Sequence, residues 1–154
     1  MKKRKNRVTA KLVIAPNDIL NKVCEPVEEG EDVSGIIRDM MHILVNSETG
    51  VGLAAPQAGH LKRIIILKTY VEWGYLVMIN PKWNRMRSGV VTMNECCLSY
   101  PGESKSVERF GSIKVAYTSE NNIPVVEARF DNFEARIIQH EIDHLDGKCK
   151  VGVI

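Results

Sequence analysis

The chain has 154 residues, of which 44% are hydrophobic and 26% are charged, and its formal net charge is +2 at pH 7. This length and composition are those of one soluble globular domain. The small net charge does not by itself indicate a nucleic-acid-binding protein, and no apolar stretch approaches the roughly 20 residues of a membrane-spanning helix.

The first eleven residues contain six Lys or Arg side chains and no acidic one. We expect residues 1–14 to form a basic, flexible arm, with weak attachment to a polyanion such as ribosomal RNA as the alternative role. Residues 15–154 are expected to form the single domain. Lys11 interrupts the apolar core that a signal peptide would need, so a cytoplasmic protein is expected.

Hydrophobic periodicity then predicts an amphipathic helix over 33–46. The segment 50–57, rich in glycine and small apolar residues, could lie flat against a ligand or a neighbouring backbone. Runs of β-branched and apolar residues predict five strands, of which the last two form a hairpin: 63–68, 76–80, 90–94, 113–118 and 125–130.

A second helix follows the hairpin directly. Asp131 can cap it with Glu134 as the capping-box partner, Gly147 supplies its left-handed end, and a short strand is predicted over 148–154. Because the strands are grouped between two helices, without regular alternation, the sequence predicts an α+β fold with mostly antiparallel sheets around this central helix.

The second helix carries the most informative pattern in the chain. His140 and His144 lie four residues apart, so they project from one face of a helix, where two imidazoles can bind one divalent metal. Glu141 would stand where it can carry protons to and from a metal-activated water. The alternative for the two histidines is a hydrogen-bonded pair in the core.

A catalytic metal site of this kind needs a third protein ligand. The candidates are Cys96, Cys97, His42, His60 or a carboxylate. Because no secretory signal supports disulfides, a metal-binding thiolate is the more economical use for one of the two adjacent cysteines. Cys24 and Cys149 are interpreted as small buried hydrophobic residues.

Three segments resemble, in order and spacing, the signature motifs of peptide deformylases: GVGLAAPQ at 50–57, ECCLS at 95–99 and QHEIDH at 139–144. The resemblance implies a metal-dependent amidohydrolase that removes the formyl group from the N-terminal formyl-methionine of newly synthesised polypeptides and releases formate. It implies Fe²⁺ as the usual metal, with Zn²⁺, Ni²⁺ or Co²⁺ able to substitute. It also implies a monomer in the cytoplasm of a bacterium or its host, or in an organelle.

Carried over by position, the resemblance implies Cys97, His140 and His144 as metal ligands and Glu141 as the proton carrier. The side-chain amide of Gln57 and the backbone N–H of Leu98 would stabilise the oxyanion. The residues expected to bind substrate are Gly50, Val51, Gly52, Met93, Glu95, Phe133 and Ile137. Ordinary core packing is the alternative for Val51, Met93, Phe133 and Ile137, and Glu95 is also expected to pair with Arg109.

Two features depart from the family pattern. Cys96 stands where glycine is usual, and the sequence has ten residues after His144, where relatives commonly continue into a further helix.

Two other classes of function share some of these features. A thermolysin-like peptidase needs a third ligand downstream, where Asp146 is the sole acid. A non-catalytic protein that binds peptide N-termini would need neither Glu141 nor Gln57, and the presence of both residues in this chain argues against that class.

Overall fold

A computed structural model describes residues 10–69, 74–149 and 151. Two helices and seven strands are formed in these residues: α1 (Ser34–Val45), β1 (Gly52–Ala54), β2 (Ile64–Lys68), β3 (Tyr75–Arg85), β4 (Val90–Cys97), β5 (Tyr100–Phe110), β6 (Ser112–Thr118), β7 (Pro124–Asp131) and α2 (Asn132–Leu145). Short 3₁₀ turns lie at Asp18–Asn21 and Ala55–Ala58.

The strands form two antiparallel sheets. Five of them pair in the order β1-β2-β3-β6-β7, and β4 pairs with β5 in a separate ribbon. The α+β fold with mostly antiparallel sheets that the sequence predicts is therefore confirmed. Neither described helix has the length and apolarity needed to cross a bilayer.

The five-stranded sheet is covered on both faces. Side chains of a strand alternate between faces, and those of β2 divide accordingly. Ile65 and Leu67 pack in one cluster with Ile138 of α2, whereas Ile64 and Ile66 pack in a second cluster with residues of α1. This arrangement explains why β2 is apolar from Ile64 to Leu67, and it packs α2 against the sheet.

The predicted helix 33–46 and the hairpin are confirmed within one or two residues at their ends. The predicted strands 76–80 and 90–94 are too short, because β3 continues to Arg85 and β4 to Cys97. Two strands were missed: β1 has three residues including a glycine, and β5 is mostly polar and exposed and includes Pro101.

The predicted capping box at the start of α2 is wrong. Asp131 precedes the helix, but its side chain accepts hydrogen bonds from Ser112 (2.5 Å) and Arg129 (3.0 Å) instead of from the helix backbone. The predicted end is confirmed, since Gly147 has a φ of 67°. A Cβ at Gly147 would lie 2.6 Å from the carbonyl oxygen of Asn21, so glycine is required there on two counts.

Both ends of the chain extend beyond the described residues. Residues 1–9 of the predicted arm lie outside them, while residues 10–14 contact the body, where Val13 donates its N–H to the carbonyl of Gln57 at 2.8 Å. Of the predicted strand 148–154, residues 150 and 152–154 lie outside, Lys148 and Cys149 are not in a strand, and Val151 is buried.

Candidate metal centre and active site

Four potential metal-binding side chains converge between α2 and the ribbon. His140 and His144 project from one face of α2, Cys97 ends β4, and Cys149 follows the turn at Gly147. Their donor atoms lie within 4.8 Å of one another, and the Cys97 sulfur lies 3.2 Å from Nε2 of His144. This spread is close to twice the ~2.3 Å length of a metal–sulfur bond, so one ion could contact all four.

The structure separates the candidates for the third donor. Cys97 is buried in the cluster, whereas its neighbour Cys96 is exposed, as the alternation of a strand requires. Cys96 is not among the described residues with positive φ, so a side chain there causes no backbone strain. His42 is exposed and His60 binds Asp39 at 3.0 Å.

The downstream acid needed by a thermolysin-like peptidase is also placed elsewhere. Asp146 is bound to Arg63 at 2.8 Å and is not part of the donor cluster. The cluster therefore offers sulfur and nitrogen donors without a carboxylate ligand.

The interpretation of Cys149 as a small buried hydrophobic residue describes its burial but not its neighbours. The side chain is buried, but its sulfur belongs to the donor cluster. The Cys97 thiol donates to this sulfur and thereby lowers the pKa of Cys149, although burial opposes the change. The same contact, together with burial, raises the pKa of Cys97. The position of Cys149 in the sequence, five residues after His144 and just beyond Gly147, was the signal that could have identified it as a potential metal ligand.

Glu95 forms a buried ionic hub beneath the cluster. Its carboxylate, 7% exposed, accepts from Nε and Nη2 of Arg109 (both 2.9 Å), Nη1 of Arg136 (2.7 Å) and Nδ1 of His140 (2.9 Å). Burial would raise the pKa of Glu95, but the hydrogen bonds from Arg109 and His140 hold it well below its usual range. Because Nδ1 of His140 is engaged, Nε2 remains available to a metal.

The hub changes the expected role of Glu95. The pairing with Arg109 is present as expected, but a carboxylate has about four acceptor positions and here all are taken by the protein. The expected contact of Glu95 with a substrate stays a prediction, while in the structure its carboxylate binds His140 and the two arginines. No sequence pattern indicated a role for Arg136. This side chain also donates to the carbonyls of Val107 (3.1 Å) and Val91, and so links α2 to the ribbon.

Glu141 is buried beside the cluster with one oxygen unpaired. Its side chain is 5% exposed, and Oε2 finds no hydrogen-bond partner among the described residues; the same holds for Nδ1 of His144. Burial raises the pKa of Glu141. A buried carboxylate without a partner is costly unless a cation or a polar ligand lies beside it. The donor set and this unpaired oxygen together fit a divalent metal.

Gln57 points its amide group at the cluster. Its Oε1 accepts from the N–H of Ala54 at 2.9 Å, which fixes the orientation of the side chain. Its Nε2 donates to Ser99 at 3.1 Å and approaches the Cys97 sulfur at 3.5 Å. The amide is therefore held with its hydrogens towards the donor cluster.

A cavity of about 670 Å³ opens onto these groups. Cys97, His140, Glu141, Gln57 and Leu98 line it, together with all the residues expected to bind substrate: Gly50, Val51, Gly52, Met93, Glu95, Phe133 and Ile137. Val51, Met93 and Phe133 are 39–47% exposed, which does not fit ordinary core packing, whereas Ile137 is buried. A Cβ at Gly52 would lie 2.7 Å from Ile137 and 3.0 Å from Glu141, so glycine permits this close approach.

Comparisons with known proteins agree on one family. The polypeptide deformylase family profile matches residues 9–152. The peptide deformylase of Aquifex aeolicus (strain VF5) is 40% identical over an alignment of 141 residues, and the match covers 88% of this chain and 82% of that protein.

Two solved structures resemble the whole fold. A deformylase from the Vibrio parahaemolyticus bacteriophage VP16T, in complex with actinonin, is 34% identical with a TM-score of 0.81, and the match covers 90% of this chain and 98% of that one. A class I type b peptide deformylase from Acinetobacter baumannii, bound to Met-Ala-Ser, is 33% identical with a TM-score of 0.82, over 92% and 97% of the two chains.

Proposed function

The chain belongs to the peptide deformylase family, whose metal-dependent enzymes remove the N-formyl group from newly synthesised polypeptides, and we propose that Cys97, His140 and His144 hold the metal for this reaction. The observation that carries the proposal is the buried Glu141, whose unpaired oxygen lies beside a cluster of metal donors in an open cavity. A structural metal site would not need this carboxylate or the cavity.

The proposed ligands suit a catalytic divalent ion. When bound, the ion supplies Lewis acidity that lowers the pKa of water from ~15.7 towards ~7, and so provides hydroxide at neutral pH. Cys97 binds as a thiolate, and the carboxylate of Glu95 orients the imidazole of His140. A ligand set of one sulfur and two nitrogens also accepts Zn²⁺, Ni²⁺ or Co²⁺, so it does not select the metal. We propose Fe²⁺ as the physiological ion on the family resemblance alone.

Glu141 is proposed to move the proton. It would take a proton from the attacking water and deliver it to the departing amine, for which its unpaired Oε2 is the available atom. Burial raises the pKa of Glu141, which favours holding this proton between the two steps. The amide of Gln57 and the N–H of Leu98 would donate to the developing oxyanion; each such donor typically lowers the barrier by ~2.7–4 kcal/mol.

The substrate is proposed to bind as an extended strand. β1 is the edge strand of the five-stranded sheet, and Gly52 at its start lines the cavity. A peptide could add to this edge through backbone hydrogen bonds, while its methionine side chain enters between Met93, Phe133 and Ile137. The exposed side chains of Met93 and Phe133, with the buried Ile137 beside them in the cavity lining, support a pocket for an apolar residue.

Formate release from formyl-Met-Ala-Ser tests the proposed function. We expect release that stops with a chelator and returns with Fe²⁺, Ni²⁺ or Co²⁺. Cleavage between Met and Ala instead would indicate a peptidase, and binding of the peptide without formate would indicate a non-catalytic protein. Either result would contradict the proposal.

We further propose a cytoplasmic monomer whose basic residues at 2–11 attach weakly to ribosomal RNA. The cluster of positive charge in this segment supports the attachment. Sedimentation with ribosomes should be lost as salt is raised, and deletion of residues 1–9 should abolish it. Sedimentation that is unaffected by the deletion would contradict this role.

A further inference from the structure

The proposed ligand set leaves one member of the donor cluster without a role. Cys149 is 3% exposed and packs with Val151 and Tyr100 against Cys97. Its position is set by the turn after α2, in which the N–H of Lys148 donates to the carbonyl of Asp143 at 2.7 Å. The left-handed glycine at 147 brings the chain back over the end of the helix and towards the two histidines.

We propose that Cys149 is a fourth protein ligand of the metal, so that the resting site is a closed Cys₂His₂ site. The inference rests on the metal site proposed above and extends its ligand set. Tetrahedral coordination at metal–ligand distances of ~2.0–2.3 Å places neighbouring donors ~3.3–3.8 Å apart. The four donor atoms already lie within 4.8 Å of one another, so small side-chain movements would complete this geometry.

Cys24 shows what a merely buried thiol looks like in this protein. It is as buried as Cys149, but it packs among apolar side chains of the main core, and burial raises its pKa to about 11. Cys149 instead has three metal donors around its sulfur. Simple packing accounts for Cys24 and leaves the placement of Cys149 unexplained.

A fourth protein ligand has a functional consequence. Catalytic sites of this class keep one coordination position open, whereas Cys₂His₂ sets are typical of closed structural sites. Cys149 and water would therefore compete for the same position, and the thiolate must leave before turnover. Removing Cys149 should raise turnover at a given metal occupancy.

Cobalt substitution tests the inference directly. The near-ultraviolet charge-transfer absorption of a Co²⁺–thiolate site scales with the number of Co–S bonds. Cys149→Ala should reduce this absorption per bound Co²⁺ to about half of the wild-type value, as one of two sulfur ligands is lost. Cys24→Ala, the matched removal of a buried thiol, should leave it unchanged. Equal absorption in wild type and Cys149→Ala would overturn the inference.

A second measurement needs no variant. X-ray absorption fine structure of the zinc-loaded wild type should show two sulfur neighbours at ~2.3 Å and two nitrogens at ~2.0–2.1 Å. One sulfur neighbour would overturn the fourth-ligand inference while leaving the proposed function intact. A wild type that binds no metal, or a Cys97→Ser variant with undiminished Co–S absorption, would overturn both.

Discussion

Replacing Glu95 by glutamine should destabilise the fold strongly. Four hydrogen bonds from Arg109, Arg136 and His140 end on this carboxylate, and all four side chains are 4–7% exposed. Glutamine keeps the shape but removes the charge and turns an N–H₂ donor towards guanidinium donors. Leaving buried cations without their partner typically costs ~3–5 kcal/mol. Because Asp143 still binds Arg109 at 2.5 Å, we expect the lower end, ~3 kcal/mol.

Unfolding in excess chelator measures this loss separately from any loss of metal binding. Denaturant gives the free energy of unfolding, and heating gives Tm. At roughly 2–4 °C per kcal/mol for a chain of this size, Tm should fall by roughly 6–12 °C. Glu31→Gln is the matched control, since Glu31 binds Lys62 at 2.8 Å at the surface, where such a pair contributes ~0–1 kcal/mol. If Glu95→Gln lost no more stability than this control, the reasoning about a buried hub would be refuted.

Three further predictions concern the site. Glu141→Gln should keep the metal and lower turnover by ~10² or more, since Glu141 carries protons and is not a ligand; full metal content with near-normal formate release would contradict this. Cys97→Ser should weaken metal binding and Cys96→Gly should not, as judged by bound metal per chain; the reverse result would shift the ligand by one residue. Gly52→Ala should cost ~1–3 kcal/mol of stability and lower turnover, because its Cβ would press on Glu141, whereas Gly89→Ala, with open space around it, should do neither.

The parts of the fold that follow from local patterns were predictable. α1 has helical periodicity, and β2 is apolar from Ile64 to Leu67, so both can be recognised in the sequence before any tertiary contact is known. β5 is different, because its polar residues gain strand structure only by pairing with β4. Asp131 shows a related limit: a residue suited to capping instead binds Ser112 across the hairpin and Arg129 on its own strand, which the sequence alone does not reveal.

Some residues of the candidate site could likewise be predicted from local sequence patterns, and others could not. The spacing of His140 and His144 is local and can be read from the sequence, and the strand alternation favours one of Cys96 and Cys97. The roles of Arg136 and Cys149 depend on how the ribbon and the turn after α2 dock around the helix. Contacts between residues more than 40 positions apart, such as Arg136 with Glu95, leave no periodic signal in the chain.

The proposed ligand Cys97 lies in the ribbon, whereas His140 and His144 lie in α2. A bound ion would therefore also link these two parts of the fold. Cys97 and His144 are 47 residues apart in sequence, so an ion bound to both closes a loop of that length, as a disulfide would. A cross-link of this span removes ~4 kcal/mol of chain entropy from the unfolded state when it persists there. Removal of the ion by a chelator should therefore speed amide hydrogen exchange in β4 and β5 more than in β2. The ribbon would lose its link to α2, whereas the five-stranded sheet would stay packed.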